Sequence, residues 1–176
     1  MKNIATKEIT IIGVTLALIT VCSWIVIPFV VPFTLQTFAI YLAVFSIGEK
    51  RTLIALLAYC LLGFLGVPVF SGFVGGVGVL AGATGGFLIG FFFSVAVLWA
   101  FSPLRDKKFW FIFSIILSLL VCYACGTLFF VKAYMKGASF FKGLTACVFP
   151  FIIPDAIKIG LAYFVAKKVK AINLNA

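Results

Sequence analysis

Two residues in this chain carry charge where charge is expensive. Asp155 and Lys158 stand in the run Pro150-Phe151-Ile152-Ile153-Pro154-Asp155-Ala156-Ile157-Lys158. They are three positions apart, which on a helix puts both side chains on one face. Asp155 is the only acid of the chain set well inside an apolar stretch. An ionised group at the centre of a bilayer costs on the order of a few kcal/mol or more. Such groups face a protein interior or a water-filled cavity, and they hold a polar ligand, relay a proton or neutralise each other. A second cluster of hydrogen-bonding side chains, Thr34, Gln36 and Thr37, opens another apolar segment. Hydroxyls there can bond back to the backbone, but an amide such as Gln36 needs several partners once desolvated.

Other chemistry is excluded by what the chain lacks. It has no histidine, no paired acids and no nucleophile beside a base, so nothing supports an enzyme. Cys122-x-x-Cys125 has metal-ligand spacing, but no second cysteine pair or histidine completes a four-ligand site. The five cysteines all fall in apolar segments and read as small polarizable packing groups. From Gly72 to Gly90 there are eight glycines. They match neither a phosphate-binding loop nor a dinucleotide fold, so the chain carries no motor of its own. No cofactor is expected.

The elements that must position these residues follow from composition. Of 176 residues 65% are hydrophobic and 10% charged, which no soluble domain of this size could place on its surface. The expectation is an all-α integral membrane protein with six transmembrane helices. A spanning helix takes about 20 residues, so six leave short loops and make residues 1–176 one membrane domain. The spans are expected at 9–27, 33–47, 52–65, 84–101, 109–130 and 150–166. Pro28 to Pro32 forms a short turn, and Glu49-Lys50-Arg51 a tight charged one. Residues 66–82 form a glycine-rich outer loop folded over the bundle. Irregular backbone at membrane depth is tolerated only in such a buried or cavity-lining role. Gly82, Gly86 and Gly90 recur every four residues and could line one helix face. Residues 131–149 form an outer connection with a short interfacial helix. Lys2 and Lys7 precede an apolar run without a small-residue cleavage site, so the first segment is expected to span rather than to be a cleaved signal.

The net charge of +10 is distributed for orientation, not for nucleic acid. With the N-terminus inside, ten cations (Lys2, Lys7, Lys50, Arg51, Arg105, Lys107, Lys108, Lys167, Lys168 and Lys170) lie on the inner side. Only Lys132, Lys136 and Lys142 lie outside. This positive-inside bias predicts that both termini are cytoplasmic. Trp24, Trp99 and Trp110 fall at the expected interfaces. The last span then enters from outside, with Asp155 in its first turn, where the helix dipole favours negative charge. Lys158 sits roughly 13 Å above the inner surface. Thr34, Gln36 and Thr37, the glycine-rich loop, the 131–149 connection and the charged pair all converge on the outer face. The pattern is that of an outward-open pocket for a small amphipathic ligand.

The motifs in order are Val31-Pro32-Phe33-Thr34-Leu35-Gln36-Thr37, Gly66-Val67-Pro68-Val69-Phe70, Gly82-Ala83-Thr84-Gly85-Gly86-Phe87-Leu88-Ile89-Gly90 and the Pro150–Lys158 run. With these, nearly the whole chain resembles the BioY family, the biotin-specific S components of energy-coupling-factor (ECF) transporters. The family commonly has proline at the position of Ala83, tyrosine at that of Phe87, and Pro-Gly-Asp where this chain reads Ile153-Pro154-Asp155. The resemblance implies the S-component fold in a prokaryotic cell (inner) membrane. It implies biotin capture from outside and delivery by reorientation of the subunit. Its partners would be a transmembrane coupling protein, docked on a small-residue ridge at Gly13 and Ala17, and a pair of ATPases that use the ATP. Biotin suits the pocket: its carboxylate needs a cation and its ureido group both donates and accepts. The residues expected to bind it are Gln36, Thr37, Phe70, Gly75, Thr84, Phe87, Asp155 and Lys158. Lys158 would meet the carboxylate and Asp155 and Gln36 the ureido end, or Asp155 and Lys158 would act as one unit at one end. The alternatives are a solitary ion-coupled carrier using Asp155, an S component for another vitamin, and a non-transporting scaffold.

Overall fold

A computed structural model of the chain describes residues 2–28, 31–134 and 140–174. Among the described residues the elements are helical apart from one two-residue hairpin. Helix α1 (Lys2–Trp24) stops three residues short of the expected end of its span. Val26–Ile27 (β1) instead turns back to pair antiparallel with Phe33–Thr34 (β2). The hairpin is written in the sequence as β-branched residues followed by Pro28 and Pro32, which cannot donate to a ladder and confine it to a short edge.

Helix α2 (Gln36–Ile47) ends at Gly48, whose φ of +88° is open to glycine at little cost. Helix α3 (Glu49–Phe64) starts at the next residue. This corrects one expectation: Glu49, Lys50 and Arg51 form no turn but open a helix, because Gly48 alone makes the reversal. Glu49 in that first turn complements the helix dipole and pairs with Arg105, on the link between α5 and α6. Arg51 Nε donates to Glu8 Oε2 of α1 at 2.7 Å. The two pairs tie three elements at one end of the bundle, though the more exposed Arg51–Glu8 pair contributes little.

After α3 the chain folds over the opposite end. Phe70 bridges to Val74, α4 (Val77–Leu80) is a single turn, and α5 (Gly85–Ala100) follows. Ser23 of α1 donates to Val69 O at 2.6 Å and the Trp24 indole N–H to Pro68 O at 2.9 Å, so the end of α1 anchors this loop. Helix α6 (Lys108–Phe129) continues as a π-turn over Phe130–Tyr134. The short helix expected in the connection is α7 (Phe140–Cys147). Helix α8 (Ile152–Leu174) runs past the expected end at residue 166, through Lys167, Lys168 and Lys170, since lysine is a good helix former.

Helices α5 and α6 pack most closely, as do α2 and α8. The α5–α6 contact depends on missing side chains. A Cβ on Gly86 would lie 2.3 Å from Phe129 Cβ, and one on Gly90 would lie 2.8 Å from the Cys122 carbonyl. Gly82, the third of the spaced glycines, precedes the helix and makes no part of that face. Cys122 and Cys125 lie in this packing as free thiols. The core holds Tyr41, Tyr59 and Phe70, while the outward faces are apolar, as at Val14, Leu61, Leu120 and Phe164. Among the described residues two helical stretches, Ala5–Trp24 and Lys108–Ala133, are long and apolar enough to cross a membrane. At 12 residues α2 is only about 18 Å long, well below a bilayer core of about 30 Å.

Candidate functional site

The charged pair takes its position from the way α8 begins. Asp155 N–H donates to Phe151 O at 2.8 Å, and Pro154 sits in the first turn, where a missing N–H leaves no bond unmade. Asp155 and Lys158 are only 5% and 6% exposed. Lys158 Nζ donates to Asp155 Oδ1 at 2.9 Å and to the main-chain carbonyl of Thr34 in β2 at 2.7 Å. The same ammonium stands 3.6 Å from the centre of the Phe33 ring, a cation–π contact, and that ring stacks on Phe151 at 5.7 Å. The other carboxylate oxygen, Oδ2, accepts from Tyr123 Oη of α6 at 2.7 Å. A buried ion pair is tolerable only when its remaining lone pairs and protons are met. Here α6, α8 and the hairpin together meet them.

This pair forms one wall of a cavity in the interior of the bundle. Gln36, Thr37, Phe70, Thr84 and Phe87 also line it, with Asp155 and Lys158. Gln36 Nε2 donates to Tyr59 Oη at 3.0 Å. Phe70 packs edge-on to Tyr59 at 5.4 Å, and its ring fills the place a side chain on Gly63 would take, 2.1 Å from such a Cβ. Phe87 lies likewise over Gly126, where a Cβ would come within 2.4 Å of the ring. The walls are therefore aromatic, and glycines on neighbouring helices let them stand where they do.

The fold does not bring Gly75 to this cavity. It sits in the loop, where a Cβ would lie 2.4 Å from Val67 O; its role there is close backbone approach. Gly13 and Ala17 lie far along α1 on its exposed face, and the space beside Gly13 is open to 4 Å.

Several lining residues escaped the sequence reading. Tyr41, Tyr59, Ser94 and Tyr123 all contribute to the cavity. Tyrosine in an apolar helix reads as packing, and only knowledge of which helices face each other separates a cavity hydroxyl from an interfacial one. The available signal was weak: Tyr41, Ser94 and Ser118 are polar residues in the middle of otherwise apolar runs.

A helical bundle with an apolar outer surface, and an apolar cavity holding one carboxylate and one ammonium, defines a membrane protein with a candidate small-molecule site. The chain belongs to the BioY family, whose model matches residues 1–174. It is 36% identical over 163 residues to the biotin transporter BioY of Thermotoga maritima, covering 92% of this chain and 95% of that one. To the probable biotin transporter BioY of Pyrococcus horikoshii it is 33% identical over 165 residues, covering 93% and 96%. Its fold is that of the S-component for biotin from an ECF-type ABC transporter, with a TM-score of 0.83 at 22% identity over 97% of this chain and 94% of that one.

Proposed function

We propose that this chain captures biotin and is the substrate-binding subunit of an ECF-type vitamin transporter, and that it is not an enzyme. The observation that carries the reading is the hydrogen-bonded Asp155–Lys158 pair, buried in the wall of an apolar cavity, in a chain whose relatives are biotin transporters along almost their full length. The site residues are Gln36, Thr37, Phe70, Thr84, Phe87, Asp155 and Lys158.

Electrostatics favours treating the pair as one unit. A ligand carboxylate brought to Lys158 would also meet Asp155, whose Oδ1 is 2.9 Å from the same ammonium, and like charges at such distances repel strongly in a low-dielectric site. The neutral ureido ring has no such conflict. Asp155 accepts one of its N–H groups, while Lys158 or Gln36 donates to its carbonyl. The fused ring lies against Phe70 and Phe87, and the carboxylate points towards the mouth and water.

The subunit spans a prokaryotic cell membrane six times, in a single domain over residues 1–176, with both termini in the cytoplasm and the cavity opening outward. Ten cations on the inner side against three outside support that orientation. The exposed face of α1 at Gly13 and Ala17 is the surface for the transmembrane coupling protein, and two ATPase subunits supply the energy. The runner-up is a solitary carrier driven by protonation of Asp155. The two separate in membrane vesicles supplied with ATP and labelled biotin. Uptake that needs the coupling protein and ATPases and survives a proton uncoupler supports the ECF reading. Uptake without those subunits, abolished by the uncoupler, overturns it.

A further inference from the structure

The cavity contains a polar group that the charged pair and Gln36 leave unused. Tyr41 of α2, Ser94 of α5 and Ser118 of α6 meet through their hydroxyls. Tyr41 Oη is 2.6 Å from Ser118 Oγ and 3.3 Å from Ser94 Oγ. Their exposures are 1%, 1% and 0%, so all three are shielded from bulk solvent. Tyr41 and Ser94 line the cavity; Ser118 lies behind them.

Proton accounting gives this chain a direction. A hydroxyl has one proton and two lone pairs. Ser118 spends its proton on the carbonyl of Ile115, 2.8 Å away in its own helix. Tyr41 must therefore donate to Ser118. The Tyr41 proton is then spent, so Ser94 must donate to Tyr41. The order is Ser94 to Tyr41 to Ser118 to the Ile115 carbonyl, and each link polarises the next. With its proton turned to Tyr41, Ser94 Oγ keeps its lone pairs for the cavity side.

We infer that Ser94 is a specificity-determining acceptor for an N–H group of the bound molecule, held in that role by Tyr41 and Ser118. The inference rests on the biotin reading. In that frame Ser94 accepts the ureido N–H that Asp155 does not. A site built this way discriminates: a ligand offering a carbonyl or an alkylated nitrogen at that position leaves a buried acceptor facing an acceptor or a methyl group, at the cost of an unmet polar group. Riboflavin and thiamin, lacking a cyclic urea of this size, fail at the same point.

Were the three hydroxyls merely a strut between α2, α5 and α6, replacing one would lower stability and weaken all ligands alike. Titration of the purified full chain separates the two roles. The ligands are biotin and its two derivatives methylated on one or the other ureido nitrogen. The proteins are the parent, Ser94→Ala and, should that fold poorly, Ser94→Cys, which keeps the volume but is a feeble acceptor. The expected result is that Ser94→Ala weakens biotin about tenfold. One methylated derivative, weak on the parent, loses nothing further on Ser94→Ala, because its methyl group replaces the lost bond with contact. Tyr41→Phe should reproduce the loss for biotin, since it frees the Ser94 proton to turn into the cavity. Equal losses for all three ligands, or unchanged biotin binding, overturn the inference while leaving biotin capture standing. Absence of biotin binding to the parent is a different outcome, which removes the functional reading and this inference with it.

Discussion

The Lys158 ammonium donates to the carbonyl of Thr34 at 2.7 Å, across 124 residues of chain. Through this bond the β1–β2 hairpin and the start of α8 are held by the same cation that neutralises Asp155. The buried ion pair and the closure of one end of the bundle thus share a side chain.

Breaking the pair from one side should be worse than removing it. Asp155→Asn leaves Lys158 charged and unpaired, and loss of one partner of a buried pair costs about 3–5 kcal/mol. Lys158→Met does the same to Asp155. The double variant Asp155→Asn/Lys158→Met should recover thermal stability towards the parent but not recover biotin binding, which falls more than about a hundredfold in all three. Melting curves and titrations on the same preparations check both halves.

Tyr123→Phe tests the second oxygen of Asp155. The Tyr123 hydroxyl is 2.7 Å from Oδ2, and a hydrogen bond to a charged group contributes about 1.5–3 kcal/mol. Biotin affinity should drop roughly tenfold or more, with the fold intact by circular dichroism. Unchanged affinity would show that the carboxylate is positioned by Lys158 alone.

The α5–α6 seam makes a stability prediction. Gly86→Ala drives a methyl group to 2.3 Å from Phe129 Cβ, and Gly90→Ala drives one to 2.8 Å from the Cys122 carbonyl. Overpacking of this kind costs about 1–3 kcal/mol, so each should lower the melting temperature of the purified protein. Gly78→Ala, with open space around it, should not.

These residues also mark how far the sequence could be read. The charged pair was legible because ionised groups in an apolar run have few explanations, and the helices because each shows as a long apolar stretch. The helix ends were less so. Val26 and Ile27 continue the apolar run of α1, and only their pairing with Thr34 and Phe33 takes them out of the helix. Glu49 to Arg51 resembled a charged turn, but Gly48 makes the turn and the three residues form the first turn of α3. At the site, Asp155, Lys158 and Gln36 were visible from their cost of burial. Tyr41, Tyr123 and Ser94 were not, since which hydroxyls face a cavity depends on helix packing that no local pattern encodes. Gly75 lies outside the cavity lining for a related reason: glycine marks close approach, and here the backbone it approaches is that of Gly66 and Val67.

The open face of α1 separates binding from delivery. Gly13 has no neighbour within 4 Å and lies on an exposed helix face, so Gly13→Leu should leave folding and biotin affinity unchanged. If that face docks the coupling protein, the same substitution should abolish uptake in vesicles containing the full transporter and prevent its co-purification with the coupling subunit. Normal uptake would move the docking surface elsewhere.

The central claim is that the Asp155 cavity is a biotin site. Calorimetric titration of the purified chain with biotin, beside riboflavin and thiamin, tests it most directly. The account predicts saturable, tight, one-to-one binding of biotin, no heat from the other two, and loss of the biotin signal in Asp155→Asn/Lys158→Met. Absence of biotin binding by folded parent protein, or undiminished binding by that double variant, would contradict it.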